Sequence, residues 1–156
     1  MKSVLFDYKT TKEEWFEQAV LQYSKKISHY AEFEIQSLKT MKHGRDEAAL
    51  KKQYEESELF KKLSPDDYVI LFEETGKALN SEEFAEQISK AENSGKKRIV
   101  YIVGGAYGVT DDIKQRSHAQ ISLSLMVMNH LVAETVVLEQ IYRAYTIKNR
   151  IPYHNI

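Results

Sequence analysis

The run Ile99-Val100-Tyr101-Ile102-Val103 breaks directly into Gly104-Gly105-Ala106-Tyr107-Gly108. A buried strand ending in a glycine-dense turn lets backbone come close to a ligand or to a second pass of chain, because glycine has no Cβ and tolerates positive φ. In open α/β sheets, ligands gather at the carboxyl ends of strands. A second apolar run, Tyr68-Val69-Ile70-Leu71-Phe72, leads into Glu73-Glu74-Thr75-Gly76-Lys77, so two glycine loops are expected side by side at one edge of the sheet. Neither is a phosphate motif. The dinucleotide fingerprint is G-x-G-x-x-G near the first strand with an acid about 20 residues later, and a P-loop needs lysine and Ser/Thr directly after its last glycine. A third segment, Leu123, Ser124, Leu125, Met126, Val127 and Met128, offers backbone amides and carbonyls among apolar side chains. That suits an adenine and a thioether better than a triphosphate. The G-G-x-x-G turn taken alone is equally a plain structural turn.

The elements that must position these segments follow from periodicity. Residues 2–8 read as a short buried strand. Thr11-Lys12-Glu13-Glu14 matches a capping box ahead of an amphipathic helix over roughly residues 12–27. Phe33, Ile35 and Ser37 alternate with polar residues as a half-exposed strand. Residues 40–62 are highly charged and read as a solvated helix with a ragged start around Gly44. A strand over 68–72 precedes a helix opened by Asn80-Ser81-Glu82-Glu83 and closed near Gly95. The strand over 98–103 leads through the glycine turn to a short helix over 112–118 capped by Asp111-Asp112. Residues 121–125 alternate as a strand or extended loop, and a last helix spans about 131–148. The tail is non-helical, with Pro152 expected to stop the helix. This alternation predicts an α/β fold, a mostly parallel sheet covered by helices on both faces.

With 156 residues the chain is expected to be one domain over 1–156. The absence of cysteine excludes disulfides and thiolate metal sites. A net charge of −1 argues against binding nucleic acid by bulk charge, although Arg143, Lys148, Arg150 and His154 gather late in the sequence. No run approaches the roughly 20 apolar residues of a membrane span, and residues 1–8 lack a signal-peptide core. A cytoplasmic location and no membrane partner are expected.

The string Ile102-Val103-Gly104-Gly105-x-x-Gly108, then Leu123-Ser124-Leu125 before His130, then Leu138-Glu139-Gln140-Ile141-Tyr142-Arg143-Ala144-Tyr145-x-Ile147, and finally Pro152-Tyr153-His154, resembles the bacterial ribosomal large subunit methyltransferase H family of the SPOUT superfamily. The resemblance covers the whole chain, with its specific motifs after residue 68. It implies methylation of N3 of a pseudouridine in 23S rRNA with S-adenosylmethionine, a C-terminal trefoil knot, a homodimer and no metal. It implies cofactor contacts at Phe72, Gly104, Leu123, Ser124, Leu125, Met126, Val127 and Met128. Arg143, Tyr153 and His154 are implied as the catalytic set, with Tyr142 near the substrate nucleotide across a dimer interface. The sequence departs from the family's usual pattern in Leu125-Met126-Val127, at Asn129 and at Glu134, where a basic residue is common. An acid at Glu134 implies a weaker RNA contact.

Loss of the N3 proton calls for a base, for which His130, Glu139 and His154 are candidates. Each has a plainer role. Glu139 and Arg143 at i,i+4 suit a structural ion pair, His130 suits a cap or turn, and Tyr142 and Tyr145 suit packing at an interface. The C-terminal helix, rich in Val, Ile and Tyr, is expected to be exposed and consistent with a dimer contact. Two other functions stay open: an inactive SPOUT-like RNA-binding protein, and an adenine-ligand-binding α/β domain with no RNA partner.

Overall fold

In the computed structural model, which describes residues 1–8, 13–39, 48–104 and 108–155, side-chain alternation sorts the apolar residues of the strands between two cores. In β1 (Lys2–Asp7), β3 (Asp67–Ala78) and β4 (Arg98–Val103), successive side chains point to opposite faces. Leu5, Tyr68, Ile70, Phe72, Ile99, Tyr101 and Val103 enter one cluster with α1 (Glu14–Ser28), α3 (Ser81–Glu92) and α5 (His130–Lys148). Val4, Phe6, Val69, Leu71, Val100 and Ile102 enter the other, closed by Leu59 of α2 (Ala48–Lys62) and Ile113 of α4 (Asp111–Arg116). Continuous apolar runs are what strands covered on both faces require.

With β2 (Glu32–Ser37) and β5 (Ala119–Ser122), the sheet has five strands in the order β2-β1-β4-β3-β5. Every pairing is parallel. The amino ends of β3 and β4 are tied by a fork from Arg98 Nε and Nη2 to the Asp67 carboxylate at 2.8 and 2.7 Å, where the two residues stand in register.

Several sequence expectations are corrected. The N-cap of α1 is Glu13, whose side chain makes no capping bond; Thr11 and Lys12, like Gly44 and residues 105–107, lie outside the described residues. The reciprocal capping box sits instead at Asn80 and Glu83, at 2.8 and 2.9 Å. β3 runs on to Ala78, because residues beyond Phe72 rejoin the ladder with β5. β5 lies two residues earlier than its alternation suggested and stops at Ser122. The last helix is not exposed: α5 packs on α1 and α3, and Leu131, Val137, Leu138, Ile141, Ala144 and Tyr145 are buried. Pro152 does not stop it either. Ile151 N–H donates to Thr146 O at 2.9 Å and Arg150 N–H to Ile147 O at 3.2 Å, with Arg150 at φ 56°. This is a Schellman turn with arginine in the left-handed position usually held by glycine.

Candidate functional site

At the carboxyl ends of β3 and β5 lies a cavity of about 430 Å³. Phe72, Leu79, Phe84, Ile121, Leu123 and Val136 supply apolar walls, and Asn80, Ser81, Glu82, Ser122, Gln140, His154 and Asn155 supply polar groups. Phe72 is fixed by an edge contact with Phe84 at 5.8 Å and a stack on Tyr101 at 6.5 Å. Its carbonyl accepts from Gly104 N–H at 3.2 Å. On the cavity rim, Ser81 Oγ donates to Gln140 Oε1 at 2.8 Å, joining the start of α3 to the middle of α5.

The Schellman turn folds the tail back over α5, where four side chains meet. Arg143 forks onto Glu139, with Nη2 at 2.6 Å and Nε at 2.9 Å from Oε1. The Tyr153 hydroxyl donates to the same oxygen at 3.3 Å, its ring lies 4.7 Å under the guanidinium, and Tyr142 meets that ring edge-on at 4.8 Å. His154 Nδ1 is 3.1 Å from Arg143 Nη1. A guanidinium only donates, so this nitrogen accepts and carries no proton in that contact. His154 Nε2 faces Glu82 Oε1 at 3.5 Å. The hydrogen bond to Glu139 raises the Arg143 pKa further. Burial, then the Glu139 charge, raises that of Tyr153. At neutral pH both are therefore donors, and Glu139 is their shared acceptor rather than a free base.

A family model described as "Predicted SPOUT methyltransferase" matches residues 1–154. The chain belongs to the SPOUT methyltransferase family. Its relatives include proteins named "Ribosomal RNA large subunit methyltransferase H" from Bdellovibrio bacteriovorus, 45% identical over 100% of both chains, and from Trichlorobacter lovleyi, 37% identical over 93% of this chain and 94% of that one. A solved structure titled a "probable methylase family protein" from Haemophilus influenzae Rd KW20 aligns with a TM-score of 0.54 at 14% identity. It covers 96% of this chain, which spans 66% of that one, and it speaks for the fold alone.

Within this SPOUT fold, the structure brings Arg143, Tyr153 and His154 into one cluster, and His154 to the cavity lined by Phe72 and Leu123. It does not gather the rest of the expected cofactor set. Gly104 bonds to Phe72 but does not line the cavity, and Gly105 is outside the described residues. Leu125, Met126 and Val127 are 100%, 80% and 84% exposed. Ser124 turns the chain there, its hydroxyl accepting from Met126 N–H at 2.9 Å, and Met128 is half-buried.

Among the described glycines, the one that close approach demands is Gly76. A Cβ on it would sit 2.6 Å from Ile121 N and 2.7 Å from Gln120 C. There β3 departs from β5 after Phe72 and returns at Lys77. Gly76, within β3, is pressed against β5, while Gly104 bonds to Phe72 of β3 from the β4 side, so the two glycines do not lie side by side. Glu134 is 1% exposed, so its side chain lies in the interior rather than on the surface. His130 is not the cap of α5; Asn129 is, through Leu131 N–H at 2.9 Å. The late basic cluster is largely neutralised within the fold: Arg143 is paired with Glu139 and Lys148 with Glu92. The Glu139–Arg143 pair was legible from its i,i+4 spacing; the Gly76 contact, the burial of Glu134 and the Lys148–Glu92 pair were not.

Proposed function

We propose that this SPOUT chain methylates N3 of a pseudouridine in 23S rRNA of the large ribosomal subunit, with S-adenosylmethionine as donor. The observation that carries the reading is identity of 45% across the full length of a relative named ribosomal RNA large subunit methyltransferase H. The chain acts as a large-subunit rRNA methyltransferase, in the cytoplasm, as a homodimer of single-domain protomers with a C-terminal trefoil knot. The exposed apolar side chains of Leu125, Met126 and Val127 favour a partner surface over this segment. No helix among the described residues is long and apolar enough to cross a membrane.

The cavity fits the donor in size and chemistry. Small-molecule pockets run from about 300 to 1,000 Å³, apolar with a few polar groups, and this one has six apolar walls with Ser81, Ser122 and Gln140 among them. Phe72 and Leu123 hold the donor in this cavity, with Gly104 acting only through its bond to the Phe72 carbonyl and residues 124–128 outside the lining. When bound, S-adenosylmethionine supplies an electrophilic sulfonium methyl.

The chain's own task is to orient the nitrogen and handle its proton. N3 lies between two carbonyls, so charge spreads onto their oxygens as the proton leaves. Arg143 and Tyr153, both donors, stabilise that charge. His154 is held by Arg143 and Glu82 through both ring nitrogens, so it serves as base only after one contact opens as substrate enters. Orientation supplies much of the remaining acceleration.

Incubation with labelled S-adenosylmethionine and ribosomes lacking the modification tests the reading. Label appears in 23S rRNA at N3 of one pseudouridine. Cofactor binding without label in rRNA overturns it.

A further inference from the structure

Asp7 closes β1 at the carboxyl edge of the sheet. Two residues beyond Leu5, it points to the same face, toward α5. His130 and Glu134 are one helical turn apart on α5 and share a side of it. The strand and helix therefore deliver three potential ligands to one place. His130 Nε2 is 3.9 Å from Asp7 Oδ1 and 3.9 Å from Glu134 Oε2, and the three ligand atoms lie within 4.8 Å of one another.

These distances are too long for hydrogen bonds. Asp7 is 2% exposed. Its Oδ1 and the His130 Nε2 are both buried with no hydrogen-bond partner among the described residues. Buried polar atoms are nearly always satisfied, and these two are aimed at one shared point. Metal–ligand bonds of about 2.0–2.2 Å separate ligand atoms by roughly 3–4 Å, so a small contraction of the triad seats an ion. One imidazole with two carboxylates suits a divalent transition ion such as Zn²⁺ or Mn²⁺. Two carboxylates also balance its charge.

We propose that Asp7, His130 and Glu134 bind a divalent transition-metal ion that pins the first turn of α5 to the carboxyl end of β1. The ion fixes where the segment 123–129 enters the helix, and so steadies one side of the candidate cofactor site without touching substrate. No thiolate is required, in keeping with a chain free of cysteine. The family resemblance implied no metal; the buried triad points the other way.

The test needs no methyl transfer, so its failure and that of the proposed function are distinguishable. The EDTA-stripped full chain is titrated with Zn²⁺ and with Mn²⁺ by calorimetry, and its thermal unfolding is followed with and without each ion. About one ion per chain binds and Tm rises with its concentration. Asp7→Asn and His130→Gln each weaken binding at least about tenfold, while His29→Ala, an exposed histidine, leaves it unchanged. X-ray absorption on the zinc-loaded unmodified chain shows one imidazole among oxygen ligands, a readout that does not depend on the variants folding. No binding by the folded chain, unchanged binding in both variants, or two or more imidazoles around the ion overturns the proposal.

Discussion

Arg143 shows what a single side chain contributes here. Its fork holds Glu139, its face covers Tyr153, and its outer nitrogen meets His154. Lysine keeps the charge but has neither the planar fork nor the stacking face. Arg143→Lys is therefore expected to lower kcat about 10²-fold with cofactor affinity unchanged, measured by single-turnover methylation beside cofactor titration. An unchanged kcat removes the fork from the chemistry. The types Arg143, Tyr153 and His154 were legible in the sequence through family resemblance. The Glu139–Arg143 pair was legible from its i,i+4 spacing; the His154 tautomer and the contacts of Tyr153 and His154 were not, because these depend on a tail turned by Arg150 in a conformation that arginine rarely adopts.

At the scale of elements, the meeting of β3 and β5 is the critical joint. Gly76 touches the backbone of β5, which cannot yield as a side-chain tip can. Gly76→Ala is expected to cost about 1–3 kcal/mol, read as a lower urea midpoint. Gly104→Ala, whose Cβ among the described residues meets a Val109 methyl at 3.1 Å and the Phe72 carbonyl at 3.5 Å, costs less. Equal midpoints for the two contradict this account. The other end of the joint is held by His118, whose N–H donates to Val69 O at 2.8 Å and whose Nδ1 accepts from Val69 N–H at 3.0 Å. Burial, with Arg116 and Lys96 nearby, lowers its pKa below 6.5. The unfolded chain then binds the proton more readily than the folded one, so stability rises with pH in this window. The contribution is present above about pH 6.5 and lost as pH falls through it toward the folded value. Urea unfolding from about pH 5 to 7.5 should show a steeper acid loss in the unmodified chain than in His118→Asn; parallel curves refute it.

At the scale of the whole molecule, the two cores explain why the strands read so plainly. Strands buried on both faces must be apolar throughout, so 68–72 and 98–103 announced themselves, and with them the α/β class and the helices on both faces. Periodicity reports only how much of an element is buried, not what lies against it. The stripe of α5 was visible, yet only packing on α1 and α3 showed that it faces the core. Glycine turns were likewise visible, but which one carries a close approach is decided by a strand more than 40 residues away in the sequence. Net charge near zero is a sum over the chain; Arg143 meets Glu139 within α5, while the pairing of Lys148 with Glu92 depends on where α5 meets α3. The sequence by itself determined the elements, their order, the lack of thiolate chemistry and the family. Tertiary structure alone decided that Phe72, Leu123 and His154 share a cavity, that Leu125, Met126 and Val127 stand outside it, and that Asp7, His130 and Glu134 converge. The physical reason is that local pattern encodes burial and backbone geometry, whereas chemistry requires side chains from distant elements within a few ångströms, and only the packed chain fixes those distances.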